Sequence, residues 1–116
     1  VEGNLIIEGA GGIMVPVNSN GLTFADLIEH WSLPTIVVSR HYLGSINHTL
    51  LTIEVLQNRG VTIEGLVFVG DENKATEEII LKSTRVKFLA RIPMAKELNK
   101  TFVLEQAEQV TVLFNR

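Results

Sequence analysis

The sequence predicts an α/β domain built on a mostly parallel sheet with flanking helices. Four short apolar runs, at residues 5–7, 35–39, 65–69 and 87–92, are separated by stretches of helical period. Strands that alternate with helices imply parallel pairing through right-handed crossovers. Three of the runs are rich in valine and isoleucine, which suits strands covered on both faces. The first run passes straight into a carboxylate and a glycine-rich turn, Leu5-Ile6-Ile7-Glu8-Gly9-Ala10-Gly11-Gly12. An acid at the carboxyl end of a strand, followed by glycines, places chemistry at the edge where open α/β sheets bind ligands.

The elements follow in order. The run 5–7 predicts the first strand. Thr23 is a good N-cap for a helix over 24–31, which stops before Ser32-Leu33-Pro34. Residues 35–39 predict the next strand. Ser45 then caps a longer helix in which Ile46, Leu50, Ile53 and Leu56 recur at helical spacing, with Leu51 and Val55 as a second apolar stripe. Gly60 closes this helix as a left-handed C′ residue. The helix spans roughly 20 Å at 1.5 Å per residue. Its wide apolar arc predicts burial against both the sheet and a partner subunit. After the strand at 65–69, a third helix over 73–83 is expected to turn Ile79 and Ile80 inward and Glu77, Glu78 and Lys82 outward. A weaker helix is expected over 104–109, after the strand at 87–92.

At 116 residues the chain is long enough for one domain with a real core and too short for two. A net charge of −3 argues against a nucleic-acid binder that works through a general basic surface. The absence of cysteine excludes disulfides, thiolate metal sites and a thiol nucleophile. No apolar run approaches the roughly 18 residues of a membrane span, and no signal peptide is visible, so a cytoplasmic location is the expectation. The chain begins at Val1 rather than methionine, and its edge acid already stands at position 8. Residues 1–116 are therefore expected to form a single domain that is the carboxyl-terminal part of a larger protein.

Two segments carry candidate chemistry. Glu8 with Gly9, Ala10, Gly11 and Gly12 suits a magnesium ion and the phosphates it bridges, because glycines let the backbone approach closely. The plain alternative is a turn with a solvated acid. Leu43-Gly44-Ser45-Ile46-Asn47-His48 follows a strand and opens the long helix, so its unpaired amides and the helix dipole form an anion site for carboxylate or phosphate. No Gly-x-x-x-x-Gly-Lys-Ser/Thr loop is present, and Lys82-Ser83-Thr84 reads as a solvated helix terminus. His30, His41 and His48 lack metal-ligand spacing and read as surface or capping residues. Arg40, beyond a strand end, suits an anion or an ordinary salt bridge. Trp31 reads as a core or interface anchor.

Together these motifs resemble one family. Ile7-Glu8-Gly9-Ala10-Gly11-Gly12, Val15-Pro16, Thr23-Phe24-Ala25-Asp26-Leu27, Leu33-Pro34-Thr35-Ile36-Val37-Val38 and Leu43-Gly44-Ser45-Ile46-Asn47-His48-Thr49-Leu50-Leu51-Thr52 resemble, in order, the carboxyl-terminal half of dethiobiotin synthetase. The resemblance weakens after Gly70. It implies part of a three-layer fold like that of the P-loop NTPases, a homodimer, and an ATP- and Mg2+-dependent carboxylation and ring closure. The implied substrates are 7,8-diaminopelargonic acid, carbon dioxide and ATP, with no nucleic acid or membrane partner. Carried over, Glu8 is the magnesium ligand, and Gly9, Gly11 and Gly12 flank the reacting groups. Leu43, Gly44, Ser45, Ile46 and Asn47 hold the substrate tail carboxylate across a subunit boundary. Val69, Gly70, Ile92, Pro93 and Met94 lie at the nucleotide base.

There are two departures. Many family members place an asparagine at the Val69 position, and valine cannot read a base by hydrogen bonds. The phosphate loop and its lysine belong to an amino-terminal half, so this chain alone is expected to have little or no activity. Two other readings stay open: a degenerate non-catalytic dimerisation or regulatory domain of the same fold, and a related ATP-dependent amide-forming enzyme of cobalamin synthesis.

Overall fold

A computed structural model describes residues 2–114. Seven elements follow in the order α1 (Phe24–Trp31), β1 (Thr35–Arg40), α2 (Ser45–Asn58), β2 (Ile63–Val69), α3 (Lys74–Thr84), β3 (Phe88–Ile92) and α4 (Lys100–Phe114). The strands form one sheet in the order β1-β2-β3, with both pairings parallel. The α/β class and the parallel sheet expected from sequence are borne out.

Alternation along β2 sets the layers, since successive side chains on a strand point to opposite faces. Leu66 and Phe68 turn to one face and join Val37, Ile53, Leu56 and Ile80 in the main core, under α2 and α3. Ile28 of α1 packs on the same cluster. Val67 turns to the other face and meets Leu89 and Ala90, with Val110 of α4 against them. Phe68, Ile53, Leu56, Leu66 and Ile80 are the largest fully buried side chains. Each contributes about 1.5–3 kcal/mol of transfer free energy.

Several elements differ from expectation. Residues 5–7 form no strand, and Leu5, Ile6 and Ile7 are 67%, 92% and 54% exposed. A strand exists only where a neighbour completes its ladder, and no described strand pairs with this run. The outer strand β1 is likewise uncovered on its α4-side face, where Val38 is 63% exposed. Trp31 is 46% exposed, so of its two readings, core or interface anchor, the core one does not hold. Ser45 does not cap α2. The N-cap is Gly44, at φ 101, with no side-chain cap bond, while Ser45 is buried. The chain enters α2 through a left-handed turn that suits glycine, which shifts the cap one residue early and swings Ser45 inward. Gly60, at φ 71, does take the left-handed position after α2.

On α3, Ile80 is buried but Ile79 is 44% exposed, and Glu77 is buried at 5%. Residues 77, 80, 81 and 84 share a helix face at 3.6 residues per turn. Glu77 therefore faces in with Ile80, and Ile79 turns away. α4 is longer than expected, starting at Lys100.

The register of β2 with β3 shifts between Leu66 and Val67, beside Gly65. A Cβ built at Gly65 would stand 2.4 Å from Leu89 Cγ and 2.7 Å from the Lys87 carbonyl oxygen. Gly65→Ala is therefore expected to destabilise the domain by about 3 kcal/mol, as overpacking against backbone does. A denaturant titration checks it, and an unchanged midpoint would show that β3 can shift freely at this point.

Candidate functional site

Parallel register brings three strand ends to one edge. Arg40 pairs with Val69, and Val69 pairs with Ile92. The amide of His41 donates to the Val69 carbonyl at 3.3 Å, and the amide of Gly70 donates to the Ile92 carbonyl at 2.9 Å. Immediately beyond them lies a cleft of about 350 Å3 whose walls include Arg40, His41, Val69, Gly70, Asn73 and Met94. Of the five residues expected at the base, Val69, Gly70 and Met94 line this cleft, and Ile92 and Pro93 lead into Met94.

A second, larger groove of about 780 Å3 opens between the glycine-rich segment and the β1–α2 face. Gly11 and Gly12 form one wall, and Ser39, Tyr42, His48 and Thr49 stand opposite. Arg40 lines both the groove and the cleft. The glycine segment is held by a short antiparallel bridge between Pro16 and Thr23. The Ala25 and Phe24 amides also donate to the Ile13 and Val15 carbonyls at 2.8 and 3.3 Å. Gly9 lies against the Phe24 ring, where a Cβ would come within 3.2 Å. In that wall the buried hydroxyls of Ser39 and Thr49 satisfy each other at 2.8 Å, tying β1 to α2.

Glu8 is exposed and enters none of the ion pairs among the described residues. No group of three or more His, Asp or Glu that could hold a metal is found among them either. One free carboxylate fits an ion such as Mg2+, which keeps several waters and takes the rest of its shell from phosphates.

Leu43, Gly44, Ile46 and Asn47 lie on the outer surface, with Leu43 fully exposed, and none of them lines the groove of this same subunit. The Ser45 amide donates to the Tyr42 carbonyl at 3.0 Å and the His48 amide to the Gly44 carbonyl at 3.0 Å. The amides of Ile46 and Asn47 take no protein acceptor among the described residues. With no side-chain cap, these N–H groups and the helix dipole remain open to an anion. Tyr42 Oη and His48 Nδ1 share a hydrogen bond of 2.6 Å across the turn.

One cluster was not legible as a site. Glu77 Oε1 accepts from His41 Nε2 and Arg91 Nε, both at 2.9 Å, and Oε2 accepts from Arg91 Nη2. His41, read as a surface or capping residue, is only 13% exposed along its side chain. The Arg91 hydrogen bonds, then those of His41 and the Asn73 amide, hold the Glu77 carboxyl down at about 2 against the opposing effect of burial. The same contact raises Arg91. A separate cluster clamps α1 to the end of α2. Arg59 Nη1 donates to Asp26 Oδ1 at 2.6 Å and to Glu29 Oε2 at 2.9 Å. The Thr23 amide, then Arg59, holds Asp26 at about 2.

The AAA domain family is matched over residues 2–101. The chain belongs to that family. Among curated relatives, it is 50% identical over 108 residues to a protein of Christiangramia forsetii named ATP-dependent dethiobiotin synthetase BioD, covering 93% of the chain and 51% of the relative. Proteins of the same name from Rhodopseudomonas palustris and Novosphingobium aromaticivorans are 43% and 48% identical over 100 and 96 residues, 86% and 83% of the chain. They are covered to 47% and 46% of their own length. The chain thus spans about half the length of the relatives it matches, and the resemblance read from the Glu8 turn and the Leu43–His48 run holds at the level of whole-chain similarity. No described helix is long and apolar enough to cross a membrane.

The Glu77 pairing has a pH signature. Its folded pKa lies below its ordinary value of 4.5. Its contribution is therefore fully present above pH 4.5 and is lost as pH falls toward 2. Glu77→Gln is expected to cost about 3 kcal/mol at pH 7, as breaking a buried ion pair does. The gap from the unsubstituted protein should close across that acid window. Denaturant titrations at pH 7, 4.5, 3 and 2 check it, and a gap that stays constant with pH would contradict the assignment.

Proposed function

We propose that this chain is the carboxyl-terminal half of a dethiobiotin synthetase, which carboxylates 7,8-diaminopelargonic acid and closes its ring at the expense of ATP. The observation that supports this most is the uncapped start of α2. Its Leu-Gly-Ser-Ile-Asn-His sequence resembles that of dethiobiotin synthetases, and the free amides of Ile46 and Asn47 suit a substrate carboxylate. In this reading the segment 43–47 serves the active site of a second subunit, which fits its place on the outer surface. The exposed half of α2, including Leu51 at 52% exposure, would lie in that homodimer interface.

The chemistry divides among the residues as follows. Carbon dioxide adds to one amine of the substrate as a carbamate. The carbamate oxygen attacks the γ-phosphorus of ATP and ADP leaves; the second amine then attacks the carbamate carbon, losing its proton, and phosphate leaves as the cyclic urea closes. Mg2+, when bound, would neutralise charge on the phosphate oxygens. Glu8 supplies a carboxylate to that ion, and Gly9, Gly11 and Gly12 let the backbone stand close to the reacting groups. Ile46 and Asn47 anchor the tail by backbone amides; Ser45, being buried, contributes through its position rather than its hydroxyl. Val69, Gly70, Ile92, Pro93 and Met94 flank the base. Most phosphate stabilisation belongs to an amino-terminal half, so the isolated chain is inactive in this reading. Val69 favours one second reading, a domain that keeps the fold and the dimer surface without binding nucleotide.

The full-length protein carrying this chain is expected to make dethiobiotin from diaminopelargonate, bicarbonate and Mg-ATP, and absence of both ATP binding and product would favour the second reading. Glu8→Gln should lower kcat by about 100-fold, or about 3 kcal/mol of transition-state stabilisation. Unchanged turnover would remove Glu8 from the metal role. Gly44→Asp sets a like charge beside the tail carboxylate. It should raise KM for diaminopelargonate about tenfold and leave KM for ATP within twofold, whereas equal rises in both would count against the carboxylate site.

A further inference from the structure

We propose that Glu77 is a positioning residue for the nucleotide end of the site: its buried carboxylate ties the exit of β1 to the exit of β3 and so fixes the walls between which a base is held. The proposal rests on reading the 350 Å3 cleft as the nucleotide site.

Glu77 does not itself line the cleft. It holds the groups that do, or that lead to those that do. His41 is a wall residue after β1, and its Nε2 donates to Glu77. Asn73 is a wall residue before α3, and its amide points at Glu77 Oε1 at 3.4 Å. Arg91 stands on β3 next to Ile92, from which the chain runs through Pro93 to the wall residue Met94, and it gives Glu77 two donors. One carboxylate thus joins three elements at the edge of the sheet.

Ring contacts close the circuit underneath. His41 stacks on Phe68 with centroids 5.5 Å apart, Phe68 stacks on Phe88 at 6.1 Å, and the Arg91 guanidinium lies 5.9 Å from the Phe88 centroid. The path from Glu77 through His41, Phe68, Phe88 and Arg91 returns to Glu77. An ionised carboxylate only accepts, so Nε2 of His41 carries the proton. His41 Nδ1 is buried without a partner. Among the described residues Glu77 makes the imidazole's hydrogen bond and Phe68 its ring contact, so removing Glu77 takes away the polar contact that orients the ring at the cleft wall. Replacing a buried ion pair by apolar groups costs little net stability, while the geometry it imposes is lost. That separates the two roles experimentally.

The test uses steady-state kinetics and thermal unfolding of the full-length protein. Glu77→Met should raise KM for ATP about tenfold, with kcat and KM for diaminopelargonate within twofold, and Glu77→Gln should recover part of the loss by keeping one acceptor oxygen. The double substitution Glu77→Met with Arg91→Met also removes the guanidinium, which would otherwise keep only its 3.7 Å pairing with Glu72. It should regain most of the lost thermal midpoint while KM for ATP stays raised. A double variant with unsubstituted KM for ATP, or single variants whose parameters all fall with the folded fraction, would overturn the proposal. Met94→Arg, which fills the cleft from a wall residue that makes none of the Glu77 hydrogen bonds, controls for the underlying reading. If it leaves KM for ATP unchanged, the cleft is not the nucleotide site and both claims fall. If it raises KM while the Glu77 variants do not, only the positioning role falls.

Discussion

Parallel pairing governs everything else in this chain. Two parallel neighbours cannot be joined by a tight turn, so each connection must travel back along the outside of the sheet, here as α2 and α3. The consequence is positional. The ends of β1, β2 and β3 and the starts of α2 and α3 all fall at one edge, and the register puts Arg40, Val69 and Ile92 at a common level. Strand ends offer unpaired backbone and helix starts offer free N–H groups, so a single topological choice assembles a polar edge on an apolar core. The cleft and the groove both open there and share Arg40 as a common wall.

The two charged clusters show how burial decides what an ion pair is for. Asp26 completes a capping box with Thr23 and reaches Arg59, but its side chain is 34% exposed. Solvent screens such a pair, and its value is chiefly to seat α1 against α2. The Glu77 side chain is 6% exposed. There the charge must be matched group for group, and its partners come from separate elements. A half-wet cluster trims a local structure; a dry one dictates how distant segments sit.

Much of this was legible in the residues. Val- and Ile-rich runs marked β1 and β2, the apolar run at 87–92 marked β3, Thr23 marked the start of α1, and Gly60 marked the end of α2, because those signals are local. The departures were non-local. The run 5–7 is as apolar as any strand, yet pairing depends on a neighbour that sequence pattern does not supply. Ser45 has the chemistry of a cap, but the left-handed turn at Gly44 decided where the helix begins. Glu77 carries a charge and so read as exposed. The signal that would have placed it was its spacing of three from Ile80, together with an arginine on the following strand able to pay for its burial. The candidate site divided in the same way: Gly11, Gly12, Val69, Gly70 and Met94 fall on clefts, while Leu43, Gly44, Ile46 and Asn47 face outward and line neither cleft.

The central claim is that the carboxyl edge of this sheet is its ligand edge. The most direct measurement is a crystal structure of the full-length protein with magnesium, a non-hydrolysable ATP analogue and diaminopelargonate. The account predicts a Glu8 oxygen about 2.1 Å from the metal, the base between Gly70 and Met94, and the tail carboxylate on the Ile46 and Asn47 amides of a second subunit. A base bound away from that cleft, with Glu8 in solvent, would contradict it.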